Sequence, residues 1–417
     1  MLLFLAIFAF RPTYAIDVEY YMDVPSIIKY HGYPVEVYHV TTIDGYILEL
    51  HRIPHGRERQ PIPSSRRAVL FQHGYLCSSF EWVANSPQQS AAFVFADAGF
   101  DVWLGNFRGN FYSKNHAFLD IEENAKNFWN FSFDEMAEFD IPALIGKIQK
   151  VSKQEKILYV GHSLGSLTMF AKLSTEARFA NNLIAFMAMS PITAVSHARG
   201  FLSYLSRYFG QDYQVSSVYF SEFQRECENF PNLNVKYGPG ELFGLTPPIW
   251  LITKYTCGLF DPLRELCSDL ISLVVGPMNE YWDQKRVPVF LGHTPSGTSS
   301  NTLEHFIQSY SYGTFAKFDR GPERNMKIYG SFYPPIYNLS NIENIPMFLY
   351  WSRSDWISTA EDLKETLLTQ LNSSLIKVSY EVIDYNHLDF VWGLKSAHDV
   401  YIPMLHHFEK FLINDLQ

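Results

Sequence analysis

The sequence contains little charge and no basic cluster. Charged residues make up 18% of the 417-residue chain, the formal net charge is −10, and no block is rich in lysine or arginine. Proteins that bind nucleic acid carry such blocks because they must neutralise phosphates. The composition therefore argues against nucleic acid as a partner. Hydrophobic residues account for 47% of the chain, which is enough to bury a large core.

Long hydrophobic runs are also absent. A transmembrane helix needs about 20 apolar residues, whereas the apolar run Leu2–Phe10 near the N-terminus is much shorter. Thr13 and Ala15 then place small residues at the two positions that a signal peptidase reads. We predict a signal peptide over residues 1–15 and no transmembrane segment. A buried N-terminal strand is the alternative for residues 1–15.

Cysteine is scarce, and the four cysteines fall into two groups. Cys257 and Cys267 are close enough in the chain to join in a local disulfide in an oxidising compartment. Cys77 and Cys227 have no obvious partner, so we predict that both are buried free thiols.

Three Asn-X-Ser triplets favour export. They begin at Asn130, Asn338 and Asn372 and are sequons for N-glycosylation. Together with the signal peptide, they predict a glycoprotein of the secretory pathway.

Short apolar runs alternate with helical patterns along much of the chain. Alternating strands and helices predict an α/β fold, with a mostly parallel central sheet flanked by helices. An antiparallel hairpin is predicted around Asp44-Gly45. The other predicted strands are 68–72, 101–104, 157–160, 183–189, 346–351 and 376–382, and the predicted helices include 91–98, 133–149 and 399–412.

The alternation stops between about residues 194 and 338. Aromatic residues stand at helical spacing there, among them Phe201, Tyr204 and Tyr208. Helices inserted after a late strand of such a sheet cover its carboxyl edge, where ligands bind. We therefore divide the chain into a signal peptide (1–15), the first part of the core (16–193), an inserted, mainly helical cap and lid (194–338) and the second part of the core (339–417).

Gly161-His162-Ser163-Leu164-Gly165 stands between a predicted strand and a predicted helix. In that setting Gly-X-Ser-X-Gly is typical of a nucleophile elbow, a sharp turn that exposes the serine of an α/β-hydrolase. The helix N-terminus behind the serine favours the negative charge of a tetrahedral intermediate. Ser163 is thus the candidate nucleophile. The alternative is a glycine-rich turn that takes part in no chemistry.

Two later residues complete the pattern of a serine hydrolase. Asp355 and His387 follow the last two predicted strands, in the chain order Ser, Asp, His that this fold uses. We predict His387 as the general acid and base, and Asp355 as the residue that orients it. The competing acids are Asp384, Asp389, Glu361 and Asp362.

The loop His73-Gly74-Tyr75-Leu76 follows an early strand, where this fold supplies a backbone donor to the oxyanion hole. His73 precedes the serine in the chain, so we expect a structural hydrogen bond from it rather than catalysis. Arg108 lies in a turn-rich loop and is expected to hold that loop by binding carbonyls or a carboxylate. No histidine spacing typical of a metal site occurs, so we predict no metal.

Several longer stretches carry a family resemblance. They are Tyr33-Pro34, residues 44–48, Gln72-His73-Gly74, residues 96–106, Arg108-Gly109-Asn110, residues 131–136, residues 295–299 and residues 385–390. On these stretches, and over nearly all of the mature chain, the sequence resembles the acid lipase family of gastric and lysosomal acid lipases and their invertebrate relatives.

The resemblance implies serine-dependent hydrolysis of lipid esters to free fatty acids at acidic pH. The expected substrates are triacylglycerols and cholesteryl esters at a lipid–water interface, and the expected enzyme is a monomer that requires no cofactor. The implied catalytic residues are Ser163, Asp355 and His387, with backbone N–H donors at Tyr75 and Leu164. The resemblance also implies a mobile lid, a disulfide like Cys257–Cys267, glycosylation, and a location in the lysosome or the gut lumen.

Two residues depart from the family pattern. Leu164 stands where the family usually has glutamine, and Tyr75 replaces a usual aliphatic residue. The first change leaves a backbone N–H donor in place, and the second could narrow the acyl pocket. Two other functions stay open at this point: a carboxylesterase acting on small soluble esters, and a non-catalytic lipid-binding relative.

Overall fold

The computed structural model describes residues 17–58, 66–214, 239–244, 256–257, 261–277 and 281–415. The predicted signal peptide and Cys227 lie outside the described residues. None of the helices within these ranges is long and apolar enough to cross a membrane.

A mostly parallel sheet forms the centre of the molecule, which confirms the predicted fold class. The strands are β1 (Glu36–Thr41), β2 (Tyr46–Ile53), β3 (Ala68–Gln72), β4 (Asp101–Gly105), β5 (Ile157–His162), β6 (Leu183–Met189), β7 (Met347–Trp351) and β8 (Ile376–Glu381). They lie side by side in the order β1-β2-β4-β3-β5-β6-β7-β8. The pairs β1–β2 and β2–β4 are antiparallel, and all following pairs are parallel. The two-residue strand Asn115–His116 pairs with β2, and Glu241–Leu242 pairs with Thr298–Ser299.

Helices lie along the chain before, between and after the strands. They are α1 (Val24–Tyr30), α2 (Ala91–Asp97), α3 (Ala125–Phe128), α4 (Phe133–Glu135), α5 (Ile141–Ser152), α6 (Leu164–Thr175), α7 (Gly200–Gln214), α8 (Asp261–Val275), α9 (Val287–His293), α10 (Ser300–Tyr312), α11 (Pro322–Tyr329), α12 (Ala360–Asp362), α13 (Leu368–Gln370), α14 (Asp389–Trp392) and α15 (Ile402–Asp415). Helices α7 to α11 come from the stretch in which the strand–helix alternation stops.

The two faces of the sheet bury separate hydrophobic clusters. In β3, Ala68 and Leu70 contribute to one cluster, whereas Val69 and Phe71 contribute to the other. This alternation follows from the two-residue period of a strand. Because helices cover both faces, the central strands are apolar along their whole length rather than on every second residue.

The helix predicted over residues 133–149 is interrupted. A single wide turn, Met136–Asp140, separates α4 from α5, and the N–H of Ile141 donates to the carbonyl of Met136 five residues earlier. Pro142 follows and lacks an N–H, so the regular pattern cannot continue through it. The last helix is interrupted in the same way, by a wide turn at Ala397–Tyr401 just before Pro403.

The parallel strands β3, β5, β7 and β8 all point their carboxyl ends toward one edge of the sheet. The loops that leave this edge contain Gly74, Ser163, Asp355 and His387. Topology therefore brings together segments that lie far apart in the chain. In open α/β sheets this is the edge at which ligands bind.

Candidate active site

Ser163 lies at a strained turn between β5 and α6. Its φ is 52° and its ψ is −116°, a region that residues with a side chain rarely adopt. The turn requires small neighbours. A Cβ on Gly161 would lie 2.6 Å from the carbonyl carbon of Gly165, and a Cβ on Gly165 would lie 2.2 Å from the carbonyl oxygen of Gln72. Glycine at both positions thus lets strand, helix and β3 approach closely.

The structure brings Ser163, His387 and Asp355 into one hydrogen-bonded chain. The hydroxyl Oγ of Ser163 lies 2.8 Å from His387 Nε2. His387 Nδ1 lies 2.9 Å and 3.0 Å from the two carboxylate oxygens of Asp355. The three residues are 1 to 4% exposed. In this arrangement Nδ1–H donates to Asp355, and Nε2 is free to accept the serine proton.

Asp355 is held in place by the backbone that follows it. Its Oδ1 accepts hydrogen bonds from the N–H groups of Ile357 at 2.8 Å and Ser358 at 2.9 Å. The hydroxyl of Ser358 in turn donates to the carbonyl of Pro191, two residues after the end of β6. These contacts fix the carboxylate against the His387 ring and satisfy a buried charge.

The competing acids are placed elsewhere. Asp389 accepts from the backbone N–H of Asn386 at 2.6 Å and from the indole of Trp282. Asp362 lies 2.9 Å from the His197 ring, Glu361 pairs with Arg199, and Asp384 is exposed at a turn with positive φ. None of these four carboxylates is the hydrogen-bond partner of the His387 ring, and Asp355 is.

The loop after β3 packs directly against the serine. A Cβ on Gly74 would lie 3.3 Å from the Cβ of Ser163, so glycine allows this close approach. The next residue, Tyr75, packs its ring edge-on against Phe306, and its buried hydroxyl has no hydrogen-bond partner among the described residues. The carbonyl of Leu76 accepts from the N–H of Ser296, which ties the loop to a segment near α10.

Leu164 begins helix α6 immediately after the serine. The amides of Ser166 and Leu167 donate to the carbonyl of Ser163. The N–H of Leu164, at the first helical position, has no acceptor within the helix because the first amides of any helix lack one. The Leu164 side chain is 2% exposed and packs in a hydrophobic cluster of the sheet. The side chain of Leu164 therefore belongs to the core of the fold.

His73 makes structural hydrogen bonds, as its position in the chain suggests. Its Nε2 accepts from the N–H of Phe107 at 3.0 Å, and its Nδ1 contacts the carbonyl of Gly74 at 2.8 Å. Burial lowers the pKa of His73, which keeps the ring neutral. The ring therefore supports two loops.

Arg108 holds its loop through two carboxylates. It donates to Asp140 from its backbone N–H and from Nε, at 3.0 and 2.8 Å, and its two terminal nitrogens bind Asp44 at 2.6 and 3.0 Å. The guanidinium also stacks 4.0 Å from the ring centre of Tyr46. Arg108 and Asp140 are buried, so the cluster connects the β1–β2 hairpin, the loop after β4 and the start of α5.

Two residues next to the site carried no catalytic prediction. His162 precedes the serine, and its Nε2 lies 3.1 Å from the backbone carbonyl of His387. Glu81 lies in the short 3₁₀ helix Ser79–Trp82 and accepts from the N–H of Gly74. The motif points to His162 by its position, but Glu81 belongs to no recognisable pattern because its role depends on contacts across the fold.

Cys257 and Cys267 are joined in a disulfide, and Cys77 is a buried free thiol. The three sequon asparagines, Asn130, Asn338 and Asn372, are exposed. Within the described ranges, no three His, Cys, Asp or Glu side chains are grouped so that they could hold a metal ion.

Comparison with known proteins identifies the family. Residues 24–86 match a family described as a partial alpha/beta-hydrolase lipase region, and residues 67–220 match the alpha/beta hydrolase fold. The chain is 41% identical over 391 residues to lipase lipl-3 of Caenorhabditis elegans, covering 93% of this chain and 92% of that one. It is 34% identical over 398 residues to human lysosomal acid lipase/cholesteryl ester hydrolase, covering 95% and 93%.

A crystal structure from Sulfolobus solfataricus shares the fold. It has a TM-score of 0.52 at 16% sequence identity and covers 89% of this chain and 99% of its own. This likeness concerns the fold alone, whereas the sequence relatives match over nearly their whole length. The protein is a carboxylic ester hydrolase of the lipase type, and the chain belongs to the acid lipase family.

Proposed function

We propose that this protein hydrolyses lipid esters to free fatty acids through an acyl-enzyme on Ser163. The observation that carries the proposal is the hydrogen-bonded chain Ser163–His387–Asp355, with distances of 2.8 to 3.0 Å, at the carboxyl edge of the sheet. Nucleophile, base and orienting acid in this order are the parts of a serine hydrolase. Triacylglycerols and cholesteryl esters are the proposed substrates, because gastric triacylglycerol lipase and lysosomal cholesteryl ester hydrolase are among the relatives.

In the first half-reaction the ester is cleaved and the acyl group moves to the enzyme. His387 Nε2 takes the proton of Ser163 as Oγ attacks the carbonyl carbon. Asp355 stabilises the imidazolium that results. The tetrahedral intermediate collapses, His387 gives its proton to the leaving alcohol oxygen, and the carbon–oxygen bond of the ester breaks.

In the second half-reaction water releases the fatty acid. His387 accepts a proton from a water molecule, which attacks the acyl carbon. The bond to Ser163 Oγ then breaks, and His387 returns the proton to the serine. No metal or organic cofactor takes part in these steps.

Backbone N–H groups of Tyr75 and Leu164 are the proposed oxyanion donors. Leu164 lies at the first position of α6, and Tyr75 follows the glycine that packs against Ser163. Donors of this kind contribute about 3 kcal/mol each to the stability of the transition state. They need no side chain, so the replacement of the family's usual residues at both positions leaves them available.

The remaining features belong to the same proposal. Residues 194–338 form the cap and lid over the site, and residues 1–15 are a signal peptide. Asn130, Asn338 and Asn372 carry glycans, which their exposure permits. The enzyme works as a monomer at acidic pH, in the lysosome or the gut lumen, as the names of the gastric and lysosomal relatives suggest.

A substrate panel across pH tests the proposal. Emulsified triacylglycerol, cholesteryl ester and a water-soluble short-chain ester are compared, with Ser163→Ala as the inactive control. Hydrolysis of the emulsified lipids with an acidic optimum is the expected result. Equal turnover of the soluble ester without a gain at the interface would indicate a carboxylesterase. Failure of the wild type to react with a fluorophosphonate would indicate a non-catalytic relative.

A further inference from the structure

A buried carboxylate and a buried imidazole face each other behind the triad. Glu81 Oε2 lies 3.4 Å from His162 Nδ1, and the side chains are 0 and 1% exposed. None of the reaction steps above uses either group. Removing two ionisable side chains from water costs free energy, so their burial here requires an explanation.

The hydrogen-bond partners define the protonation of the pair. His162 Nε2 lies 3.1 Å from the backbone carbonyl of His387, and a carbonyl oxygen only accepts, so Nε2 carries a hydrogen. Nδ1 then faces the Glu81 carboxylate, and a lone pair there would be repelled. His162 Nδ1 and Glu81 Oε2 thus form an ion-pair contact, in which Nδ1 makes no hydrogen bond to any described residue. Burial lowers the pKa of His162, but the Glu81 carboxylate and the His387 carbonyl together raise it above its usual value.

The other side of the Glu81 carboxylate holds the loop after β3. Both of its oxygens accept from the N–H of Gly74, at 3.1 and 3.2 Å. Gly74 packs against the ring of His162 as well as against Ser163. A Cβ on Gly74 would lie only 3.0 Å from His162 Nδ1. Burial, and then the nearby Glu81 carboxylate, raise the pKa of the Cys77 thiol. One carboxylate thus binds the loop after β3 directly and is linked to the His387 loop through His162.

Glu81 is itself rigidly placed. It belongs to the 3₁₀ helix Ser79–Trp82, whose residues are all buried. Trp82 packs against Phe71 of β3, with ring centres 4.9 Å apart. Ser78 caps the helix by accepting from the N–H of Phe80. These contacts hold the Glu81 carboxylate in place beside the N–H of Gly74.

We propose that Glu81 is a positioning residue of the catalytic machinery: through His162 it holds the backbone of His387, and through Gly74 it holds the oxyanion loop. The base and the oxyanion donors are thereby set against Ser163 by one side chain. The rings of His162 and His387 are 5.1 Å apart. The negative charge of Glu81 offsets the positive charge of a protonated His162. Without Glu81, that positive charge would oppose the positive charge that His387 acquires during catalysis. This role rests on the proposed function of the triad.

Three substitutions test the role. Glu81→Ala removes both contacts. Glu81→Gln keeps the length and supplies one acceptor for Gly74 and one donor for Nδ1 of His162, without charge. Glu81→Asp keeps the charge, but the side chain is shorter by one methylene group, so the carboxylate no longer reaches both partners. Glu176→Ala is the matched control, because Glu176 is a surface residue that pairs with Lys172.

Two experiments are carried out on each folded variant. The first measures kcat and KM on a soluble p-nitrophenyl ester, and the second measures the rate constant for labelling of Ser163 by a fluorophosphonate. We expect Glu81→Ala and Glu81→Asp to lower kcat and labelling about 100-fold with little change in KM, the size of effect expected from a displacement of about 1 Å. Both kcat and the labelling rate constant of Glu81→Gln should be at least tenfold higher than those of Glu81→Ala. The control should match the wild type.

Two outcomes overturn the proposal. In the first, the kcat of Glu81→Ala lies within twofold of the wild-type value. If the alanine variant does not fold, the kcat of Glu81→Asp is used in its place. In the second, Glu81→Gln is as slow as Glu81→Asp. Labelling needs no lipid, so a wild type that reacts with the probe but cleaves no lipid ester would refute the proposed function alone. The labelling rates of the variants would still decide the role of Glu81.

Discussion

The hydroxyl oxygen of Ser163 lies 2.8 Å from Nε2 of His387, although 224 residues separate the two in the chain. Most of that separation is the stretch of chain between β6 and β7. The two strands on either side of this stretch pair in parallel, with Met189 beside Tyr350. The paired strands therefore bring the loops of Ser163 and His387 to the same edge of the sheet. The stretch between β6 and β7 also contacts the second loop, because the N–H of His387 donates to the carbonyl of Val275.

Replacing Asp355 by asparagine should nearly abolish turnover without unfolding the protein. The asparagine oxygen can still accept from Ile357 and Ser358, but the amide nitrogen would donate to His387 Nδ1 and stabilise the wrong tautomer. We expect kcat to fall about 10⁴-fold with a nearly unchanged melting temperature. Kinetics on a soluble ester and thermal unfolding check this. Asp384→Asn, at an exposed turn, is the control, and equal losses in both variants would contradict the assignment.

Leu164→Gln restores the residue usual in the family, and we expect little change in activity. The proposed oxyanion donor at this position is the backbone N–H, and the side chain is buried in a hydrophobic cluster. Turnover should stay within about threefold, while the buried amide lowers stability by about 1 to 3 kcal/mol if it finds no partner. Steady-state kinetics and urea unfolding are the measurements. A large gain in kcat would mean that the side chain tunes the elbow.

Removing Arg108 should destabilise the fold strongly. The substitution Arg108→Ala leaves Asp140 buried without its cation, a loss of about 3 to 5 kcal/mol in the free energy of unfolding. Chemical denaturation measures it. The control is Arg199→Ala, which breaks an exposed pair with Glu361 and should cost about 1 kcal/mol or less. Similar losses in the two variants would show that the buried cluster is not stabilising.

His305 should make the protein less stable in acid. Burial lowers its pKa to about 3, against 6.5 for an ordinary histidine. Between these values the unfolded chain binds a proton that the folded chain does not, so stability decreases as the pH falls from about 6.5 toward 3. Burial raises the pKa of the neighbouring Asp134, so this carboxyl makes the protein more stable as the pH falls. Asp134 is present in the wild type and in any variant of His305, so its effect is common to both.

The comparison is wild type against His305→Gln, in which the amide can still donate to the carbonyl of Ala316. The loss of unfolding free energy between pH 7.5 and pH 4.5 should be smaller in the variant by about 2 to 3 kcal/mol. Urea unfolding at both pH values measures it. His398→Gln removes an exposed histidine and should leave the difference unchanged. An equal loss in wild type and His305→Gln would show that His305 does not titrate on unfolding.

Much of the fold and the core of the site could be predicted from the sequence. The elbow is a local signal, because the glycines at 161 and 165 are required by the close passage of strand and helix around Ser163. Asp355 and His387 could be placed because each directly follows a strand, and parallel strands end at one edge. The breaks in two helices were not predicted, although each precedes a proline.

Glu81 shows where sequence reasoning ends. Nothing in the residues around it distinguishes it from a surface glutamate, and only the packing of Trp82 and the loop after β3 directs its carboxylate toward His162 and Gly74. The strands themselves, the turn at Ser163 and the chain order of nucleophile, acid and base were set by local residue patterns and chain connectivity. The choice of Asp355 over its competitors, the ion cluster at Arg108 and the environment of Glu81 were decided by tertiary structure, because burial and distance between remote segments exist only in the folded chain.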